Sequence, residues 1–230
     1  MNLAKTAEKP DETISSPDRV VRWIVKGILA GRYVPGQKLV EAELLQVLKV
    51  SRGPVREAFK RLHGEGIVSL TRHRGAHIRA LAREEAADLL VILEALTGLS
   101  ARLAATAVKE GANPSQMKEA FETLKSFQSK TSQDNTLISR RRFFYDTLMQ
   151  IGGNSQLPKI MPITLIHLLR AQSQPYWTEQ DREDVLSEYA VVTSAVLDGD
   201  PAKAERAMRK HIQAAMKRLE RLPDEAFPAY

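Results

Sequence analysis

The most informative side chains of the sequence lie at the start of one predicted helix, and their types suit the reading of double-stranded DNA. They are Ser51, Arg52, Gly53 and Arg56, on the first turn and a half of that helix. An arginine at the start of a helix can enter the major groove and donate two hydrogen bonds to guanine O6 and N7. The Ser51 hydroxyl and the helix N-terminus can bind phosphate oxygens. The alternative is that Arg52 and Arg56 lie on an ordinary solvated helix face.

A second group of cationic residues lies in a predicted two-stranded hairpin. Two short runs of strand character, residues 67–70 and 76–79, are joined by a loop that contains Arg72 and Arg74. These two arginines and His77 are expected to contact the DNA backbone or to reach a minor groove.

The distribution of charge favours the same interpretation. The 230 residues carry a net charge of +6, but residues 1–80 hold 15 Lys and Arg against 8 Asp and Glu, a net charge of +7. Residues 81–230 hold 19 against 20, a net charge of −1. Such asymmetry indicates a polyanionic partner for the first third of the chain. The sequence has no Cys, which excludes disulfide frameworks, thiolate zinc sites and cysteine nucleophiles.

Three closely spaced helices must position the DNA-reading side chains. Helices are predicted from Pro17 to about Gly31, over residues 41–48 and from Ser51 to about His63, followed by the hairpin. The chain after residue 80 shows the pattern of six more helices with no clear strand. They cover residues 83–109, 113–130, 135–151, 154–172 with a break near Pro158 or Pro162, 178–197 and 201–222.

Two helix starts in the second part carry specific capping chemistry. Thr178 and Asp181 have the spacing of a capping box, with an acid shorter than the usual Glu. Asp200 followed by Pro201 is typical of an N-cap with proline at the first helical position. We therefore predict a mainly α protein: an N-terminal winged helix-turn-helix of three helices and a β-hairpin, joined to a C-terminal all-α helical bundle.

The first part resembles a known family of bacterial regulators. The stretches PGQKLVEAELLQVLKVSRGPVREA and VSRGPVREAFKRLHGEGIVSLTRHRGAHI resemble the winged helix-turn-helix of the GntR family. The resemblance implies that the family's DNA-contacting positions are held here by Ser51, Arg52, Gly53, Arg56, Arg74 and Gly75. Gly53 stands where the family often has Thr or another small side chain.

The second part is similar to the FadR-type ligand-binding domain of that family, the FCD domain. ARLAA at 101–105, GGN at 152–154 and AVLDGDPAKAERAMRKHI at 195–212 carry the similarity. The resemblance implies a homodimer that binds an inverted-repeat DNA operator and senses a metabolite. The predicted boundaries are then a flexible tail at 1–15, a DNA-binding domain at 16–80, an effector-binding and dimerisation domain at 81–222 and a C-terminal tail at 223–230.

The sensor domain departs from its family at the metal site. FadR-type domains commonly hold a divalent metal with an Asp and three His, and the corresponding positions here are Arg141, Tyr145, Tyr189 and His211. A single imidazole does not hold a metal tightly, so we expect no metal and no other cofactor. Arg141 is instead expected to anchor a small carboxylate effector, with the other three residues as neutral donors. The alternative is that Arg141 lies on a solvated face while Tyr145 and Tyr189 fill the core.

Other function classes find little support in the sequence. It has no Gly-rich phosphate loop, no HExxH and no GxSxG motif, so we do not expect an enzyme. No apolar run approaches a transmembrane helix and no signal-peptide pattern is present, so we expect a cytoplasmic protein without a membrane partner. The predicted function is a DNA-binding transcription regulator, a homodimeric repressor that a small anionic effector releases from its operator. The alternative is a constitutive DNA-binding protein whose helical domain only dimerises.

Overall fold

The structure is a computed structural model that describes residues 14–71, 75–126 and 136–227. The chain divides into two compact units between Arg79 and Ala80. The predicted N-terminal tail falls almost wholly outside the described residues. Its last member, Ser15, caps the first helix by accepting a hydrogen bond from the backbone N–H of Asp18 at 3.3 Å.

The first unit contains three helices and three short strands. They are α1 (Ser16–Leu29), β1 (Lys38–Leu39), α2 (Glu41–Leu48), α3 (Arg52–Gly64), β2 (Val68–Thr71) and β3 (Gly75–Ile78). Helix α1 packs against α3, with Val20, Ile24 and Ile28 buried at intervals of four residues, the period of one helix face. The helices and the hairpin therefore occur in the predicted order.

The hairpin belongs to a sheet with one more strand than the sequence predicted. The sheet is antiparallel with the strand order β1-β3-β2, so β3 is central. In β1 only two residues pair, Lys38 with His77 and Leu39 with Ala76. A two-residue strand has no period of its own in the sequence, because alternation needs about four residues to be recognised.

The second unit is all helical in its described residues. Its helices are α4 (Arg83–Lys109), α5 (Ser115–Lys125), α6 (Thr136–Gly152), α7 (Leu157–Ile160), α8 (Ile163–Ser173), α9 (Glu179–Leu197) and α10 (Pro201–Glu220). The predicted helix over 154–172 is divided into α7 and α8 with Pro162 between them, since proline lacks the N–H that continues a helix. Helix α5 ends at Lys125, earlier than predicted, and residues 127–135 lie outside the described part.

The predicted caps of the last two helices are confirmed. The hydroxyl of Thr178 accepts from the N–H of Asp181 at 3.0 Å, and the Asp181 carboxylate accepts from the N–H of Thr178 at 3.0 Å. Asp200 accepts from the N–H of Lys203 at 2.9 Å, with Pro201 as the first helical residue. These caps fix where α9 and α10 begin.

Helix α4 is the central helix of the second unit and packs against α6, α9 and α10. Its most apolar 18-residue window has a mean hydropathy of 1.6, which is enough by length and composition to cross a membrane, although the sequence shows no uninterrupted apolar run. Half of that window is buried inside the unit. A core helix of a bundle shows the same composition, so the value reflects packing on several sides.

The segment after α10 differs from the predicted tail. Residues Asp224–Ala226 form a 3-10 turn, and Ala226 is buried. The amide of Gln172 donates to the carbonyl of Ala226 at 2.6 Å, and the guanidinium of Arg83 lies 4.4 Å from the centre of the Phe227 ring. Residues 223–227 are therefore part of the helical unit, held by partners that are distant in sequence.

Candidate DNA interface and effector cavity

The start of α3 is an exposed polar surface on a buried apolar base. Ser51, Arg52, Gly53 and Arg56 are all exposed. The opposite side of the same helix is buried through Val55, Ala58, Phe59 and Leu62. The apolar side fixes the helix in the unit and leaves the predicted DNA-reading side chains facing solvent.

The exposed groups of this surface have few partners within the chain. Arg52 makes no hydrogen bond or ion pair with a described residue, and the Ser51 side chain makes no capping hydrogen bond although its backbone takes the N-cap position. Arg56 pairs with Glu41 at 3.7 Å while 67% of its side chain stays exposed. This exposed pair orients Arg56 at little energetic gain, so the arginine is available to another partner.

The turn that joins α2 to α3 contains a cation that the sequence analysis did not single out. Lys49 is exposed and has a φ of 51°, the only positive φ among the described residues that are not glycine. Arg19 donates to the carbonyl of Leu48 at 2.9 Å and so ties the end of α2 to α1. A left-handed residue at this point makes the sharp turn between the two helices, and the position of Lys49 next to Ser51 adds a phosphate-binding candidate.

The two candidate glycines have different structural requirements. A Cβ added at Gly53 meets no atom within 4 Å, so the fold leaves this position open. Gly75 has a φ of +85° at the start of β3, a conformation that side chains with a Cβ rarely adopt. Gly75 therefore has a backbone role in the hairpin, whether or not it contacts DNA.

The remaining hairpin candidates are only partly covered by the structure. Arg72 and Arg74 lie outside the described residues. His77 lies in the central strand and not in the loop, half-buried and paired across the sheet with Lys38 and Ser69. Paired residues share a sheet face, so His77 lies beside Lys38 on the face opposite the buried Ala76 and Ile78.

In the helical unit, Arg141 is buried with only 5% of its surface exposed, so the solvated-face alternative is wrong for this residue. Its Nε donates to the hydroxyl of Tyr189 at 3.0 Å, and the Tyr189 hydroxyl donates to that of Tyr145 at 3.4 Å. The Tyr189 ring also packs edge-on against Phe144, with 4.6 Å between ring centres. Both tyrosines thus belong to the core, as the alternative expected, and at the same time form a hydrogen-bonded chain that starts at Arg141.

The fourth predicted effector residue, His211, is fully buried beside this chain. Its ring lies 4.5 Å from that of Tyr189, and its Nδ1 lies 2.6 Å from Glu188 Oε2. Burial, opposed by Glu188 but assisted by the positive charge of Arg141, lowers the pKa of His211 to about 4. The imidazole is therefore neutral near pH 7, and its Nδ1–H donates to Glu188, which Arg218 also binds.

Two small neighbouring cavities open in this region, and the space inside them for the centres of water-sized spheres is about 30 and 50 Å³. Tyr145 and the buried His167 line the first cavity, and Arg141 lines the second. Tyr189 and His211 line neither, and instead support the residues that do. The side chains shared by both cavities are Leu93, Ile166, Arg170 and Ile212.

Arg170 is the functional candidate that the sequence analysis missed. Its guanidinium lies 4.9 Å from the centre of the Tyr145 ring, and burial together with the charge of Arg141 lowers its pKa. Neither Arg141 nor Arg170 forms an ion pair with a described residue. The available signal was weak: Arg170 follows Leu168 and Leu169 on a predicted apolar helix, where a single arginine usually marks the exposed side.

The residues at the family's metal positions do not fit a divalent cation. Only His211 has a side chain of the usual ligand types, and its Nδ1 is engaged with Glu188. The Arg141 guanidinium, bonded to Tyr189, places a positive charge where the cation would bind. Within the described ranges, no three His, Cys, Asp or Glu residues are grouped to hold a metal.

Comparison with known proteins identifies both units. The family model described as bacterial regulatory proteins, gntR family, matches residues 17–78, and the model described as FCD domain matches residues 88–214. The chain is 26% identical over 195 residues to the "Probable D-xylose utilization operon transcriptional repressor" of Paenarthrobacter nicotinovorans. The aligned region covers 84% of this chain and 83% of that protein.

A second relative and a solved structure agree with these matches. The chain is 23% identical over 228 residues to the galactonate operon transcriptional repressor of Escherichia coli (strain K12), covering 91% of this chain and 99% of that protein. The structure of E. coli McbR/YncC has a TM-score of 0.72 at 17% identity, with 90% of this chain and 98% of that chain covered, and so shares the fold. The chain belongs to the GntR family of bacterial regulatory proteins, among its members with an FCD domain, and is a DNA-binding transcription regulator.

Proposed function

We propose that this regulator is a homodimeric repressor that binds an inverted-repeat operator and leaves it when a small anionic effector enters the helical unit. The observation that carries the effector part is Arg141, a buried guanidinium that lines a cavity and has no ion pair among the described residues. An isolated buried charge is costly unless a partner neutralises it, and an anion supplies that partner.

Base reading is assigned to Arg52 and Arg56 at the start of α3, with phosphate contacts from Ser51 and Lys49. The support is their shared exposure and the absence of strong partners within the chain. Arg72, Arg74 and His77 keep their proposed role as backbone or minor-groove contacts of the hairpin. One recognition helix reads only a few base pairs, so twofold symmetry supplies the affinity of an operator complex.

The dimer is supported by an unpartnered apolar surface on α4. Val91 is 61% exposed and Ile92 is 54% exposed, on a helix whose other sides are packed within the unit. Exposed apolar side chains grouped on one helix face mark interaction surfaces. We assign this surface to the contact between two copies of the chain, acting in the cytoplasm without a membrane partner.

Repression is supported by the relatives, which are named as repressors of a D-xylose utilization operon and of the galactonate operon. Both names describe a transcriptional repressor of an operon. We extend only the mode of action, repression, to this chain, and the absence of catalytic motifs leads us to assign it no enzymatic activity. The competing function is a constitutive DNA-binding protein whose helical unit only dimerises.

The DNA part is tested with fragments of the source genome, selected for binding and then measured by fluorescence anisotropy. Arg52→Ala combined with Arg56→Ala is expected to weaken specific binding by about 30-fold or more, because each of the two bidentate base contacts contributes about 1–3 kcal/mol. Arg206→Ala combined with Lys210→Ala is the matched control, since these exposed cations have the same spacing on α10. Equal affinities of both double variants would refute the assigned reading helix.

The effector part is tested on the same complex with a panel of small metabolic acids. The repressor proposal expects at least one acid to lower operator affinity in the wild type and to have no such effect in Arg141→Ala. A complex that no acid weakens would favour the constitutive alternative. If Arg141→Ala left the operator at the same acid concentration as the wild type, Arg141 would have no part in the mechanism.

A further inference from the structure

Four arginines line the two cavities, and two of them, Arg141 and Arg170, have no ion pair with a described residue. Arg141 comes from α6 and Arg170 from α8, and Arg170 lines both cavities. The Nη1 atom of Arg141 is buried and has no hydrogen-bond partner. Neither guanidinium has an ion pair with a described residue. The carboxylates that act on them from a greater distance, Glu188 on Arg141 and Asp146 near Arg170, are paired with Arg218 and Arg142.

A third donor lies at the end of the tyrosine chain. Tyr189 accepts from Arg141 and donates to Tyr145, and the Arg170 guanidinium lies 4.9 Å from the centre of the Tyr145 ring. The Tyr145 oxygen thus accepts from Tyr189, and its own proton has no acceptor among the described residues. Burial raises the pKa of Tyr145, which keeps this proton in place at neutral pH.

The other charged groups around the cavities are already paired. Arg142 pairs with Asp146 at 3.4 Å, both on the wall of the first cavity. Arg218, on the wall of the second, is bound to Glu188 and lies 3.6 Å from Asp181. The unbalanced charge of the cavities therefore comes from Arg141 and Arg170 alone.

The walls between the two cationic groups are apolar. Leu93, Ile166 and Ile212 line both cavities, and Leu90 and Leu169 extend the apolar wall of the second. Such a lining suits a short carbon chain. The hydroxyls of Thr97 and Ser173, each on the wall of one cavity, already donate to backbone carbonyls. A ligand that fits has an anionic group at each end and carbon between them.

We propose that the two cavities together bind a small straight-chain dicarboxylate, with one carboxylate at Arg141 and the other at Arg170 and Tyr145. The inference rests on the proposed function, because it names the class of effector for the same site. Two guanidinium groups on different helices, each able to bind a carboxylate through two hydrogen bonds, select for two separated negative charges. A phosphate group concentrates its charge at one point and leaves one arginine without a partner.

The test is a binding measurement by titration calorimetry on the full chain after treatment with EDTA. The probes are malonate, succinate, glutarate and adipate, with the monocarboxylate of equal carbon number and inorganic phosphate for comparison. We expect at least one dicarboxylate to bind at least about tenfold more tightly than its monocarboxylate and than phosphate. Failure of all four dicarboxylates to bind, or equal binding of a monocarboxylate or phosphate, would overturn the inference.

The residue assignment is tested with Arg170→Gln, which replaces the guanidinium by a shorter, neutral side chain that can still donate a hydrogen bond. We expect this variant to lower the affinity for the dicarboxylate at least about tenfold and to change the affinity for the monocarboxylate by no more than about twofold. Arg206→Gln, at an exposed position on α10, is the matched control and should bind like the wild type. The ratio of the affinities for the two ligands within one variant does not depend on a general loss of stability. An unchanged ratio in Arg170→Gln would contradict the two-point site.

The same ligands on the operator complex separate this inference from the proposed function. If a dicarboxylate binds but DNA affinity is unchanged, the cavity inference holds and the release mechanism is wrong. If a singly charged metabolite releases the DNA through Arg141 while every dicarboxylate fails, the proposed function holds and the two-charge inference is wrong.

Discussion

At the scale of single residues, the two units use polar side chains in opposite ways. Arg52 and Arg56 are exposed to solvent, whereas Arg141 is buried and bonded to Tyr189 of the core. An exposed arginine can adapt to DNA because water solvates it in the free protein. A buried arginine is fixed in advance, so the geometry of its ligand matters more.

The two candidate glycines of the DNA-binding unit lead to the first prediction. Gly53→Ala is expected to raise the free energy of unfolding by up to about 1 kcal/mol, because it restricts the unfolded chain and its Cβ meets open space. Gly75→Ala is expected to lower the free energy of unfolding by about 1–3 kcal/mol, because its φ of +85° strains a residue with a Cβ. Urea denaturation of both variants measures the difference, and effects of the same sign would contradict this assignment.

His211 leads to a pH prediction. Its pKa of about 4 in the folded chain lies below the ordinary 6.5, so the unfolded chain takes up a proton first as the pH falls. The contribution of the neutral His211 to the free energy of unfolding is therefore fully present above pH 6.5 and is lost between pH 6.5 and 4. This group alone should reduce the free energy of unfolding by about 2 kcal/mol between pH 7.5 and pH 5.

The pH effect is measured by following the unfolding of the helical unit in urea at both pH values, in the wild type and in His211→Asn. Asparagine does not titrate, so the variant should lose most of this pH dependence even if its stability is lower at both values. Burial alone raises the pKa of Glu188, but His211 and Arg218 lower it below its ordinary value, and its contribution falls away only at more acidic pH. An equal pH dependence in both proteins would show that His211 is not the titrating group.

At the scale of elements, one clamp joins the cavity wall to the start of α4. The Gln172 side chain exchanges two hydrogen bonds of 2.9 Å with the backbone of Leu81. Arg83 donates to the carbonyls of Leu219 and Leu222 at 3.0 and 2.8 Å, and both leucines line the second cavity. Leu81 lies one residue beyond the boundary at Ala80, so a shift of this wall reaches the point where the chain leaves the helical unit.

Gln172→Ala is therefore expected to separate effector binding from DNA release. The variant should bind the effector within about threefold of the wild type, because Gln172 lines neither cavity, but should retain more DNA at saturating effector. Anisotropy with and without effector measures this coupling. Gln213→Ala, which removes an exposed contact to Glu94, is the control. Wild-type release by Gln172→Ala would exclude the clamp from the signal.

How far the sequence predicts these elements depends on the distance between the interacting residues. The starts of α9 and α10 were predictable because Thr178 and Asp200 cap within three residues. Strand β1 and the 3-10 turn near Ala226 were not, since their partners lie on other elements. The helix-turn-helix surface was predictable because its residues lie on one helix face.

The residues that line the cavities could not be predicted without the three-dimensional structure. Arg141 was recognisable as a departure from the family pattern, but its burial was not, because Arg140, Arg141 and Arg142 look alike in sequence. Arg170 had only a weak local signal, since the packing of α8 beside α6 is what places it near Tyr145. Local chemistry therefore predicted the helices and the exposed start of α3, while the second charge beside the cavities depends on tertiary structure.

At the scale of the whole molecule, the positive charge and the apolar surface divide the tasks between the units. Residues 1–80 carry a net charge of +7, which favours DNA, and the nearly neutral remainder exposes Val91 and Ile92, which we propose as the dimer contact. Replacing both residues of this surface by Glu is expected to convert a dimer into monomers, because a carboxylate is costly to bury at an interface.

The dimer prediction is measured by sedimentation velocity at micromolar concentration. Ile160→Glu is the control, since Ile160 is a 57% exposed apolar residue elsewhere on the helical unit. Loss of the dimer should also weaken operator binding by about 100-fold or more, because two half-sites no longer act together. A stable dimer of the Val91→Glu, Ile92→Glu variant would place the interface on another surface.

The central claim, that Arg52 and Arg56 read guanines in the major groove, is tested most directly by methylation interference on the selected operator. Methylation of guanine N7 blocks the acceptor that an arginine uses. We expect interference at two guanine positions in each half-site for the wild type, and at only one of them in each half-site for Arg52→Ala. An operator bound with no guanine interference, or an identical pattern for the wild type and Arg52→Ala, would contradict the account.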